Sequence, residues 1–192
     1  MKRKFLGISF AVIMLFVSSG TAQKAQLAEI KRVDSYVKKL AAYIEKPSVK
    51  LEIYADVSTT KKPKWKKFRS KKSLEKFRET NEVYDIGFVW RRSGKIVAAN
   101  FTFTSESGDW AHYVFHSFRP NGTLAKVEAD LRTFYGYMSV QRTFYYNTSG
   151  KLILKRTKYR DIETNKPKKP GDSFYDNEVT IYKTTHRLPF LL

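Results

Sequence analysis

Two sets of residues in this chain could do chemistry. The first is a histidine–carboxylate set, His112 with Asp130 and Glu128 with Arg142, embedded in β-like sequence. A carboxylate beside an imidazole orients the ring and raises its basicity, which is half of a general-base site. A strong nucleophile to complete it is missing, since Thr102 is the nearest hydroxyl candidate, and no His/Asp/Glu spacing suits a metal. His112, Asp130 and Glu128 are therefore candidates for a small hydrolase, kept as the alternative function. His186, in the tail, reads as a surface residue.

The second set is the segment Lys61–Arg78, KKPKWKKFRSKKSLEKFR, with ten basic residues and one acid, Glu75. Lys61, Lys62, Lys64, Trp65, Lys66, Lys67, Arg69, Lys71 and Lys72 are the candidate anion-binding residues. Cations meet phosphates or carboxylates, while rings between them can stack on bases and sugars or sit in a membrane interface. The same rings could equally pin the segment to the body, leaving a fixed basic ridge. The expected partner is an anionic polymer or an acidic lipid surface, with nucleic acid also compatible; no cofactor is implied.

Composition narrows these options. The 192 residues include 37 Lys plus Arg, 18 Asp plus Glu and no cysteine, with 15% aromatic residues. Disulfide scaffolds, thiol nucleophiles and cysteine-ligated metals are excluded, and the aromatic content argues for a folded core. No P-loop, dinucleotide fingerprint, nucleophile elbow or calcium loop is present. Met1–Lys4 is basic, Phe5–Val17 is apolar and small residues run to Ala22. That order reads as a bacterial-type signal peptide over residues 1–22, cleaved after Ala22 to give a periplasmic or secreted product. Processing leaves 34 basic against 18 acidic residues. A surface so charged seeks polyanions.

Three elements must position these residues. Leu27, Ile30, Val33, Val37, Leu40, Ala41 and Ile44 recur at helical spacing, predicting an amphipathic helix over 25–46 that ends before Pro47. Val49–Val57 alternates as a strand. Gly94, Gly108, Gly122, Gly136 and Gly150 stand fourteen apart in turn-like contexts. The Val-, Ile-, Phe-, Tyr- and Thr-rich stretches between them predict strands near 82–91, 95–104, 110–119, 123–133, 138–146 and 151–160. Such a run of strands and turns is an antiparallel meander.

Hairpins symmetric about each glycine put His112 opposite Asp130, His116 opposite Lys126 and Glu128 opposite Arg142. That register makes one face apolar, with Val89, Phe101, Phe103, Tyr113, Phe115, Val127 and Leu131, and gives it to the helix. Asn100, His112, His116, Lys126, Glu128, Asp130, Arg142 and Arg156 fall on the other face. A Pro/Lys-rich loop over 164–177 and a closing strand with a docked tail over 178–192 complete one exported α+β domain, 23–192. Its N-terminal helix packs on one face of a curved meander of about six to eight strands. An eight-stranded outer-membrane barrel fits poorly, because Gln141, Thr143, Lys155 and Thr157 interrupt its lipid-facing band.

Overall fold

The computed structural model describes residues 8–171, 174 and 176–192, with side chains from residue 23 onward. Met1–Gly7, the start of the expected leader, lies outside the described residues, as do Asp172, Ser173 and Tyr175 of the Pro/Lys loop. Helix α1 runs Ile8–Ile44, two residues short of the expected end and just before Pro47. Eight strands follow: β1 Leu51–Asp56, β2 Trp65–Phe68, β3 Asp85–Arg92, β4 Lys95–Thr104, β5 Trp110–Phe118, β6 Leu124–Thr133, β7 Met138–Tyr146 and β8 Leu152–Asp161. A second helix, α2, occupies Lys71–Arg78 between β2 and β3.

The strands form one antiparallel sheet in the order β2-β1-β3-β4-β5-β6-β7-β8, an open meander with an added N-terminal hairpin. All five spaced glycines have φ between +73° and +82°. Gly122 shows why: its N–H donates to Arg119 O across the β5–β6 turn, and a Cβ there would lie 2.8 Å from Thr185 Oγ1. Both the left-handed backbone and the tail packed against it select glycine.

The repeat is twenty-eight residues long rather than fourteen. Pairing slips by one in the β3–β4, β5–β6 and β7–β8 hairpins, beside Trp90, Phe118 and Tyr146. The extra residues are Val97, Ala125 and Ile153, each a β-bulge at the same end of the sheet. Helix α1 lies across these three bulges. Leu40 packs on Val97 and Ala98, while Ile30, Val33 and Val37 pack around Ala125 and Tyr145. Tyr43 and Tyr36 donate to the carbonyls of Arg91 and Phe118 in successive hairpins, and Gln26 donates to that of Ile153. Seven helical residues advance about 10.5 Å. Two strands advance about 9.6 Å. The heptad step of α1 therefore tracks the hairpin step of the sheet. Leu27, expected on the apolar stripe, is exposed.

The bulges also decide the faces. Helix α1 does not cover the face expected to receive it. The fully buried Phe101, Val114, Val127 and Leu131 point to the opposite side, where the chain's own C-terminal segment lies on them. The expected closing strand over 178–192 forms no strand; it meets the sheet only at an isolated antiparallel bridge from Thr184 to Thr123, where Leu124 N–H donates to Lys183 O at 3.0 Å. Val179, Ile181 and Tyr182 pack as an extended strap, followed by two 3-10 turns, Thr185–Arg187 and Pro189–Leu191. The tail docks as expected: Leu188 is fully buried and Phe190 stacks on Tyr54 at 4.2 Å.

Candidate functional site

His112 pairs with Leu131 and Phe103, whereas Asp130 pairs with Tyr113. The bulge residue Ala125 shifts the register by one beyond the turn, which sends His112 and Asp130 to opposite faces. The expected His112–Asp130 pair does not form. Asp130 instead accepts hydrogen bonds from Arg132 Nε at 3.0 Å and Ser139 Oγ at 2.7 Å. Glu128 is not opposite Arg142; it faces Phe115 and Thr143 and pairs with Lys126 at 3.0 Å. His116 lies opposite Val127 rather than Lys126, and Thr102 lies opposite Tyr113 rather than His112.

Both strand histidines are buried beneath the strap. Desolvation, with the Arg142 cation as the next cause, lowers the pKa of His112 to about 4. Burial likewise lowers that of His116 to about 4. His116 Nε2 accepts the Tyr182 backbone N–H at 3.2 Å, which leaves Nδ1 as the donor toward Val114 O at 3.3 Å. A neutral His116 thus ties the strap to β5. Arg142, buried on the same face, pairs with Asp176, which leads into the strap; His112 Nε2 and Arg142 Nη1 have no partner among the described residues. His186 is exposed in the first 3-10 turn.

The basic segment is built differently from a free binding loop. Trp65 and Phe68 stand on opposite faces of the edge strand β2. Trp65 meets Phe101 and Phe190 edge-on at 6.0 and 6.1 Å, and Phe68 is buried against Phe77 at 5.3 Å. A capping box between Ser70 and Ser73 starts α2, which buries Leu74 beside Phe68, Val83 and Ile86. The rings are pins. Trp65 therefore leaves the set of ligand-facing residues. Lys61, Lys62, Lys64, Lys66, Arg69, Lys71 and Lys72 are exposed. Lys67 is exposed too, but it pairs with Glu52 at 3.2 Å. Lysines along an edge strand also discourage pairing with another chain.

The open part of the helix-bearing face holds residues that the symmetric register misplaced. One row crosses the sheet as Asn100, Phe115, Glu128, Thr143 and Arg156, each paired with the next. The adjacent row crosses as Thr102, Tyr113, Asp130, Gln141 and Lys158. The two rows have the same chemical order: uncharged polar, aromatic, acid, uncharged polar, base. A groove of about 270 Å³ lies over their middle. The signal was the twenty-eight-residue repeat, since Asn100, Glu128 and Arg156 are twenty-eight apart, as are Thr102, Asp130 and Lys158.

At the end of the sheet remote from the bulges, a cavity of about 790 Å³ is lined by Asp56, Glu82, Tyr84, Asp85 and Glu106 among others. Burial, and then the Asp56 charge, raise the Asp85 carboxyl to about 6. Asp56 is committed to the backbone N–H groups of Ser58 and Lys64. Among the described residues, no group of three or more His, Asp or Glu is placed to hold a metal ion.

No family model, curated protein or solved structure matches this chain. Among the described residues no helix is long and apolar enough to cross a membrane. The strand histidines are buried, Glu128 and Asp130 are tied to cations and a hydroxyl, and the exposed features include a row of cations and a patterned open sheet face.

Proposed function

We propose that this chain is an exported, non-enzymatic binding protein whose basic ridge, Lys61–Arg78, engages an anionic component of the cell envelope. The observation that carries the reading is the ridge itself. Ten cations stand in eighteen residues, their interleaved rings are held by the body, and among the described residues only Lys67 is neutralised by an ion pair. Pinned rings cannot stack on bases or enter a bilayer, so the ridge acts through charge, and a polymer with repeated phosphates or carboxylates suits it best. Export is supported by the basic-apolar-small order of residues 1–22. Cleavage after Ala22 would leave in place every α1 contact described above, the first of which is Gln26.

The test is retention of the purified protein on immobilised heparin across a salt series. Replacing Lys61, Lys64, Lys66, Lys71 and Lys72 with Ser should weaken binding by about tenfold or more and flatten its salt dependence, because fewer counterions are released. Trp65→Ala should lower the melting temperature and leave the salt slope unchanged. Retention unaffected by the five replacements would remove the ridge as the contact surface.

A further inference from the structure

We propose that the open sheet face between β4 and β8 is a second binding site, a platform for an acidic oligosaccharide laid across the strands. The two rows span four strand spacings, about 19 Å, with neighbouring side chains about 5 Å apart. That is the shape of a track for an extended chain rather than a pocket for a small molecule.

The chemistry of the track selects its occupant. Asn100, Thr102, Gln141 and Thr143 are half-buried, and within the described residues their side chains make no hydrogen bonds, although their neighbour Asp130 is doubly engaged. Amide and hydroxyl groups each both donate and accept. A ligand that answers four such groups in sequence must itself donate and accept along its length, as a chain of sugar hydroxyls does. Tyr113 offers an exposed ring to the apolar face of a pyranose, steadied by the Arg132 guanidinium 5.6 Å from its centroid.

Charge sets the direction and sign. Glu128 shares Lys126 with Asp34 of α1, and Asp130 is paired with Arg132. The bases that end the rows, Arg156 and Lys158, are exposed and have no ion pair among the described residues. Every acid of the platform has a cation beside it, and the cations without an acid stand at the β8 edge, so the occupant carries carboxylates there. Its polar rows are too wet for an acyl chain. The platform and the ridge share an anionic partner but no residue, so each fails on its own variants.

The experiment is calorimetric titration of the full-length protein with tetragalacturonate and, as the neutral control, cellotetraose. Tetragalacturonate should bind, and cellotetraose should bind about tenfold more weakly. Tyr113→Ala should weaken the uronate about tenfold, while Tyr113→Phe stays within about twofold because the ring, not the hydroxyl, makes the contact. Arg156→Ser with Lys158→Ser should bring the uronate down to the neutral sugar, and the five-lysine ridge variant should bind as the parent does. All the platform substitutions are at exposed positions, and an unchanged thermal melt verifies the fold. The proposal is overturned by no binding of either sugar at 10 mM, a concentration about tenfold above a weak millimolar site. It is equally overturned if binding survives Tyr113→Ala and is lost in the ridge variant, which would assign the uronate to the ridge.

Discussion

Both faces of the sheet carry polar residues, few on the strap-covered side and many on the helix-bearing side, and treat them oppositely. On the strap-covered face, His112, His116 and Arg142 are buried; one ring is bonded to the strap backbone, and the guanidinium pairs with Asp176 through one of its nitrogens. On the helix-bearing face, α1 covers the bulged end and α2 the β1–β3 side, while Asn100, Tyr113, Gln141 and Thr143 between them stay within reach of solvent. Strand alternation makes both faces available. What decides the role of a residue is which later segment lies on it: polar groups under the strap become structure, and those left open remain free for a ligand.

The comparison is broken most directly by removing one aromatic from each face. Phe101 is fully buried, with contacts to Trp65, Phe190, Tyr182 and His116. Phe101→Ala should cost about 3–5 kcal/mol, from the lost transfer energy and the cavity left behind. Tyr113→Ala, two strand positions from the same sheet centre but on the open face, should cost about 1 kcal/mol or less. Urea denaturation of both variants measures the difference. Similar losses would show that the open face is part of the core.

The contrast between faces was only half legible in the sequence. Helical spacing located α1, the glycines located every hairpin from β3 to β8, and strand limits fell within three residues of those observed. The expected faces fail for β5 and β7, because Val97, Ala125 and Ile153 look like ordinary strand residues and because the β4–β5 and β6–β7 turns close one residue away from the symmetric register. Nothing local distinguishes a bulge residue from its neighbours, yet each one shifts the register and exchanges the faces beyond it. The strap was illegible for another reason. Residues 178–192 have no period to read, because they cover a surface by shape and meet the ladder only at Thr184. Strand β2 was hidden by its charge, since Lys66 and Lys67 look like loop residues until the edge position explains them. The rings of the basic segment suit either pins or binding groups by sequence alone, and only the tertiary contacts of Trp65 and Phe68 choose between these.

Acid should strain the strap-covered face first. His112 and His116 have folded pKa values near 4, below the ordinary 6.5, so the unfolded chain takes protons that the folded chain refuses. Stability should be flat above pH 6.5 and fall as pH drops from 6.5 toward 4. Asp85 opposes this, because its folded pKa near 6 lets the folded chain bind a proton first between pH 6 and the ordinary 3.8. Two histidines outweigh one carboxyl, so the net loss should be on the order of 1 kcal/mol per pH unit below 6. His116→Gln should lessen the slope, and Asp85→Asn should steepen it. A melting temperature constant from pH 7 to pH 4.5 would mean that the strap does not seal the histidines.

The smallest effects belong to the border between α1 and the open platform. Lys126 is buried there, 3.2 Å from Asp34 of α1 and 3.0 Å from Glu128 of the platform, and Tyr145 donates its hydroxyl to Asp34 at 2.9 Å. Its pKa is raised: desolvation works to lower it, and the bonds to Glu128 and Asp34 together overcome that. Either carboxylate alone can keep the ammonium paired, and both are half-exposed, so Asp34→Asn or Glu128→Gln should each cost only about 0.5–1 kcal/mol. The double variant leaves a buried cation with no anion beside it. Its cost should exceed the sum of the singles by about 1 kcal/mol, which a double-mutant cycle in urea would show as coupling. Strict additivity would mean that Lys126 reaches water in solution. The closed and open parts of this face would then grade into each other instead of meeting at a charged seam.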